Sequence, residues 1–569
     1  MSSTHQWRFH LPGTDALREG LSSLSFLERC IFLILALAVT LSTIGMLISI
    51  RSSFLTSIPA SGGTLTEGIV GTPRFINPII ARSDADKDLA ALVYSGLMRP
   101  TPAGTLIPDL AESYAVSEDK TTYTFTLKEN ARFHDGMPVT ADDVVYTILT
   151  LQNPLIGSPL IRTWEGIDVQ AIDERTVVFR LPRPYSHFLD NTTIGILPRH
   201  LWALANEETF SIYTYNSEPV GSGPFSIERI DRDASGIPTL YTLRRFMDFT
   251  LGEPYLERIR IKMYGNEKDL FRALTAGDID AMSDINPADA GSLTAEETQA
   301  LSYPLPRTFA LFFNQNHNEI FADLSVRKAL SVAIDPSLIV DDVLFGYGVP
   351  LDGPLPPPLE HASDETYTHT IKAAQDILES NGWAKGGDGV YATKKQRLAF
   401  TITTASTPEL KRTAEIMQQV YEALGAEVKL EIFDLGALHQ DIIRPRSYDA
   451  LLFGQVVGRA GDLFPFWHSS QRNDPGLNTA LYTNIAVDDI LSDIRTTLDV
   501  EDRSSLYVSL ESEIRRDYPA VFLYAPRLVY AVPHTLKGVI PGPIDEGAER
   551  FMNVYEWHFG TRSVVTTLQ

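Results

Sequence analysis

Apolar and polar positions alternate between Thr121 and Lys128. Tyr123, Phe125 and Leu127 fall on one side, and Thr122, Thr124 and Thr126 on the other. A period of two predicts a half-buried strand. Asp135-Gly136 marks a turn. Thr140 then stands at an N-cap position with Asp143 three residues on, a capping-box-like spacing. Asp142 and Asp143 in the first turn suit the positive end of the helix dipole, and Val144, Val145 and Ile148 begin the apolar face. The segment Ala131–Ile148 gathers a histidine and three carboxylates (His134, Asp135, Asp142, Asp143). Each carboxylate has a local structural role, so the segment reads as scaffold and not as a metal or acid–base site. With a further strand at Thr176–Leu181, an α+β module is expected over about 105–216.

The second half of the chain changes period. Leu398–Thr404 reads as a strand. Leu410, Ala414, Met417, Tyr421 and Leu424 follow at helical spacing, with Gly425 as a natural C-cap, and Glu427–Phe433 alternates again. Strand, helix and strand at this spacing predict a βαβ unit with a right-handed crossover. The apolar strand Ala450–Phe453 runs straight into the glycine-rich stretch Gly454–Asp462. Ligands of open α/β sheets bind beyond the carboxyl ends of strands, which makes this loop, with Arg459 and Asp462, a site candidate.

One segment has no globular period. Cys30–Ile50 is 21 residues without a charge, enough for a helix to span a bilayer core of ~30 Å. Arg8, Arg18 and Arg29 precede it and Arg51 follows, a bias that favours the N-terminus inside. A retained anchor is expected, with 1–29 as a cytoplasmic tail, 51–61 as a tether and the main domain on the extracytoplasmic face of the plasma membrane. The alternative is a cleaved leader processed near Ser57–Ser61, although leaders usually have a shorter apolar region. A lipid anchor would need a cysteine after the run, and Cys30 comes before it.

Composition narrows the classes. A chain of 569 residues is too long for one core and implies two to four domains. Lys and Arg total 48 against 72 Asp and Glu, a net charge of −24 without a basic patch. Nucleic-acid binding needs clustered cations and is therefore excluded. A single cysteine rules out an intrachain disulfide and cysteine-based metal sites. The chain has no GxSxG, HExxH or GxxxxGK[ST] motif, so no hydrolase or nucleotide-binding chemistry is expected, and no cofactor.

Several segments in order resemble the extracytoplasmic solute-binding proteins of ABC importers, family 5, the oligopeptide/dipeptide/nickel class. They are Gly62–Ile79, Pro108–Ile148, Pro219–Ile230, Leu251–Tyr264, Ala273–Met282 and Ala310–Asp335. The resemblance covers about Gly62 to Trp557 and implies a two-lobed periplasmic-binding-protein-like α/β fold. Lobe I would be 62–104, 217–308 and 527–560; 105–216 would be the extra α+β domain of this class, and 309–526 lobe II. It also implies a receptor, not an enzyme, that closes on short peptides between its lobes and delivers them to ABC permease subunits. In that family an aspartate beyond a second-lobe strand holds the peptide ammonium, and Asp462 lies in the matching loop. The tryptophan usual just before that aspartate is replaced here by Gln455–Gly458. Gly461 belongs to the same loop, Arg459 is a candidate for a ligand carboxylate, and Trp467, Asn314, Asn77 and Asp84 are candidates for lining the cleft. No metal ligands are assigned, since His468 has no partner at metal-ligand spacing. The same fold holding an oligosaccharide or a chelated metal, or an external peptide-binding chaperone without a transporter, are the alternatives.

Overall fold

The computed structural model describes residues 22–23, 25–53, 55–293, 298–359 and 369–565. They fall in two units, one built from the chain up to Ala60 and from Gly560 onward, the other from Ser61–Phe559.

The first unit is dominated by the helix Phe26–Ser53. It begins earlier than the apolar run because Ser25 and Glu28 form a capping pair: the Ser25 backbone N–H donates to the Glu28 carboxylate at 2.9 Å and the Ser25 hydroxyl does so at 2.8 Å. The Ser-x-x-Glu spacing was there to be read in the sequence. Residues Phe26–Met46 are long and apolar enough to cross a membrane, and none of that window is buried. Leu55–Pro59 pairs antiparallel with Thr561–Val565. Part of the stretch expected to be a free tether is therefore strand.

The second unit is organised by one strand. Ala520–Pro533 is 14 residues long and almost wholly buried. Its first half pairs with Arg307–Phe313 and Gly348–Pro350. Its second half pairs with Thr298–Pro304 and Ala281–Ser283. The twelve-stranded sheet built on it therefore runs through both lobes. On the second-lobe side it continues through Arg307–Phe313, Ala450–Val456 and Ala399–Ala405 to Glu427–Phe433. On the first-lobe side it continues through Ala281–Ser283, Thr64–Val70, Arg258–Tyr264 and Pro238–Arg245 to Phe225–Arg232. The chain crosses between the halves again at Pro304–Arg307, where the Leu305 N–H donates to the Pro526 carbonyl at 3.1 Å.

Strand period decides the second lobe's layers. Leu311 and Phe313 enter a core with Leu330, Met417 and Leu451, whereas Ala310 and Phe312 enter another with Trp467, Leu510 and Phe522. Successive residues of one strand thus feed opposite faces, as a sheet covered on both sides requires. The βαβ unit is present: Ala399–Ala405 and Glu427–Phe433 are parallel neighbours, joined by the helix Pro408–Leu424. Gly425 caps that helix at φ +113, where a side chain would be strained. The strand read as Ala450–Phe453 runs on to Val456. Gly454 permits this, because its missing side chain makes room for the ring of Phe309, its cross-strand partner.

The α+β module is a four-stranded antiparallel sheet in the order Ala111–Val116, Thr122–Leu127, Thr176–Arg180, Asp168–Ala171. Tyr123, Phe125 and Leu127 point into a core that is continuous with that of the first lobe through Trp164, Phe188, Ile259 and Trp557. The Ala131–Ile148 segment is scaffold in every side chain of interest. Asp143 accepts from the Thr140 N–H at 2.8 Å and the Arg199 N–H at 2.8 Å, and Asp142 pairs with Arg199 at 3.2 Å. Asp135 meets His200 at 2.6 Å. His134 is clamped to the PVGSGPF turn: the Gly221 N–H donates to Nδ1 at 3.3 Å, so Nε2 carries the proton and donates to the Gly223 carbonyl at 3.0 Å. That turn lies so close to the first lobe that a Cβ at Gly221 would sit 2.2 Å from the Val93 carbonyl oxygen.

Candidate functional site

The loop after the strand Ala450–Val456 turns through two glycines in the left-handed region, Gly458 and Gly461, both at φ +77. Gly461 is required twice over. A Cβ there would also meet Leu359 and the Tyr507 hydroxyl at 2.6 Å each, and that hydroxyl donates to the Gly461 carbonyl at 3.0 Å. The turns direct Arg459 and Asp462 differently. Asp462 stays within its own lobe, where its carboxylate takes a fork from Arg495, with Nε at 2.9 Å from Oδ1 and Nη2 at 2.6 Å from Oδ2. The Arg495 guanidinium also lies 3.9 Å over the Phe464 ring.

Arg459 leaves its lobe. Its guanidinium is buried among three carboxylates of other segments: Glu549 at 2.9 Å, Asp190 at 3.5 Å and Asp545 at 3.8 Å. Its backbone N–H also donates to Asp545, whose own N–H donates to Glu549 at 2.7 Å. Burial opposes the charge on Arg459, but Glu549, Asp545 and Asp190 outweigh it and hold the guanidinium above its ordinary range. Burial raises Glu549 and Asp190 in turn, with Arg459 opposing and Asp545 adding to the rise. A second bridge runs from the α+β module to the second lobe. Ser186 donates its N–H to the Arg495 carbonyl at 2.8 Å and its hydroxyl to the Ile494 carbonyl at 3.0 Å. These are last-turn carbonyls of the helix Ile485–Thr496, so a cap for that helix is supplied from across the cleft.

Asp190, Asp545 and Glu549 also line a cavity of about 400 Å³. The helix Asp84–Val93 also lines it with Lys87, Ala90, Ala91 and, just past its end, Tyr94, one helical face by spacing. Lys87 is paired with Glu546 and Arg99 with Asp109 at 2.7 Å. At the N-terminal end of the same helix, Asp84 interacts with Asp284. The latter holds a left-handed φ of +58 and is exposed. Its carboxyl is nonetheless raised, first by the protein around it and then by Asp84, with Arg307 on the crossing segment opposing and Glu409 of the second lobe adding.

The other residues marked in the sequence lie elsewhere. Trp467 is fully buried in the second-lobe core, packed on Phe312, Tyr482 and Phe522. Asn314 closes a turn, donating to the Arg446 carbonyl at 2.9 Å and accepting from the Asn316 and His317 N–H groups. Asn77 does the same in the first lobe, with Asn216 at 3.2 Å and the Ile79 N–H at 3.1 Å. Sequence reasoning passed over Lys87, Tyr94, Asp190, Asp545 and Glu549. The helical spacing of 87, 90, 91 and 94 was readable; the three acids carry no local signal.

Two histidines, His187 buried and His134 partly so, are expected to make the fold sensitive to acid. Burial lowers His134 and His187 to about 4 each; a Gly223 hydrogen bond opposes this in the first and Asp462 in the second. An unfolded histidine titrates near ~6.5. The unfolded chain therefore binds more protons between these values, and stability is lost as pH falls from about 6.5 towards 4. At about 1.4 kcal/mol per pH unit, each ring accounts for roughly 3–4 kcal/mol over the whole window. His187→Phe is expected to gain on the natural chain progressively over that window in urea unfolding. A stability difference that does not change with pH would remove His187 from the account.

A sheet shared by two lobes, with Arg459 of the second meeting acids that line a cavity between the first lobe and the α+β module, defines a two-lobed solute receptor. Residues 105–475 match the bacterial extracellular solute-binding proteins, family 5, and the chain belongs to that family; it is a binding protein, not an enzyme. It is 28% identical over 496 residues to the oligopeptide-binding protein AppA of Bacillus subtilis, covering 84% of this chain and 89% of that one. The structure of that AppA in complex with a nonapeptide matches 88% of this chain and 100% of its own at 26% identity and a TM-score of 0.66. NikZ from Campylobacter jejuni in complex with Ni(L-His) matches 87% and 99% at 28% identity and a TM-score of 0.67.

Proposed function

We propose that this chain is a membrane-anchored receptor on the extracytoplasmic face that takes short peptides between its lobes and presents them to the permease of an ABC importer. The observation that carries this reading is the strand Ala520–Pro533, with one half in each lobe, next to a site where Arg459 of the second lobe meets acids of other segments. Few backbone connections at the crossing allow the lobes to move as bodies, so a ligand touching both shifts the population towards closure. The likeness to AppA with its nonapeptide supports the peptide class, and the apolar helix over Phe26–Met46 supports anchoring. A metal chelate is the second reading, favoured by the likeness to NikZ with Ni(L-His).

Native mass spectrometry of the full chain in detergent, followed by denaturation to release what it carries, tests this. A ladder of short peptides is expected. A single metal-containing mass would select the second reading. An empty protein whose melting does not respond to peptide mixtures would overturn both.

A further inference from the structure

We infer that the 400 Å³ cavity is a subsite for a cationic group of the ligand, a primary ammonium or guanidinium, and that Arg459 is the resident cation at its edge. The inference rests on the peptide-receptor reading and names what that site selects. Its walls carry Asp109, Asp190, Asp545, Glu546 and Glu549 against Lys87 and Arg99. Arg99 is taken by Asp109 and Lys87 by Glu546. The remaining three acids share one guanidinium, that of Arg459, with Arg503 acting on Asp190 from further off, so the group still holds more negative than positive charge.

An independent observation points the same way. Tyr94 is 4% exposed, lines the cavity, and its hydroxyl has no hydrogen-bond partner among the described residues. Buried hydroxyls are normally satisfied, and a bound donor or acceptor would satisfy this one. Meanwhile Asp462, the acid that the family resemblance marks for a peptide ammonium, is committed to Arg495 by a bidentate pair. A ligand cation gains more beside the uncompensated acids, because a carboxylate already neutralised by a fork has little left to offer. Carboxylates in a partly desolvated pocket favour a cation over an isosteric neutral group.

The test compares four probes on the full chain in detergent micelles by isothermal titration calorimetry: tetra-alanine, N-acetyl-tetra-alanine, N-acetyl-Lys-Ala-Ala-Ala and spermidine. The cationic peptides are expected to bind at least about tenfold more tightly than the acetylated neutral one. The double variant Asp190→Asn/Glu549→Gln brings that ratio close to one. Arg459→Gln moves the ratio the other way, raising it several-fold by vacating the cage, a change that mere loosening of the fold would not produce. Equal binding of charged and neutral peptides would overturn the inference while leaving the peptide receptor intact. If no peptide binds but spermidine does, and the double variant abolishes it, the peptide reading falls and the cation subsite stands. Binding of none of the four would overturn both.

Discussion

Arg550→Met is expected to cost the protein roughly 3–5 kcal/mol, the usual penalty for breaking a buried ion pair. The guanidinium is 1% exposed. It donates to Glu67 from Nη2 at 2.6 Å and Nε at 2.9 Å, and to Asp88 from Nη1 at 2.6 Å and Nη2 at 2.7 Å. Tyr530 adds a hydrogen bond to Glu67 at 2.8 Å, and the guanidinium lies 4.1 Å over the Phe551 ring. One cation therefore joins four segments: the strand Thr64–Val70, the helix Asp84–Val93, the second half of the hinge strand and the C-terminal return. Burial already raises Glu67, with Arg550 the main opposing influence. Without it, two carboxylates stay buried with nothing to compensate them. Urea unfolding checks the value. The triple variant Arg550→Met/Glu67→Gln/Asp88→Asn should recover part of the loss, since it is the uncompensated charge that costs most. A loss below about 1 kcal/mol for the single variant would show that water reaches the acids.

Trp467→Ala is expected to cost a similar ~3–5 kcal/mol, the range for deleting a buried large aromatic. The ring is 0% exposed and touches Phe312, Tyr482 and Phe522 at centroid distances of 6.1, 6.0 and 5.8 Å. It comes from the short helix Phe464–Trp467, whose start is a turn after Asp462. The loop that carries Arg459 and Asp462 therefore rests on this core. The sequence marked Trp467 as a candidate for lining the cleft; its ring lies in the second-lobe core instead. Chemical unfolding gives the stability loss, and calorimetry with tetra-alanine at low temperature gives the affinity. Stability intact with ligand lost would put the ring back in the cleft.

Local pattern carried a good deal of the architecture. The period-two strand Thr122–Leu127, the capped helix after Thr140, the βαβ unit and its Gly425 cap are all short-range consequences of side-chain spacing and backbone preference. The scaffold role of His134 is of another kind, since its ring is held by Gly221 and Gly223, 87 and 89 residues away. The errors were local in kind. The apolar helix began at a Ser-x-x-Glu cap that was passed over, and the strand Ala450–Val456 outran its apolar core because a glycine there faces an aromatic ring.

The site was legible only in outline. The loop Gly454–Asp462 could be marked, because strand ends in α/β sheets are where ligands bind, and its glycines announced a sharp turn. Which acid in it is free could not be read, because Asp462 is neutralised by Arg495, 33 residues away, and Arg459 is claimed by acids 86 and 90 residues further on. Sequence by itself determined many of the elements, the acidic balance and the apolar helix, since these follow from spacing and composition, and the resemblance of its segments to a known family implied the class of fold. Tertiary structure alone decided which charges meet. Ion pairing in a protein interior depends on distance and desolvation after folding, and nothing in the spacing of Asp190, Arg459 and Glu549 along the chain records that they converge on one cavity.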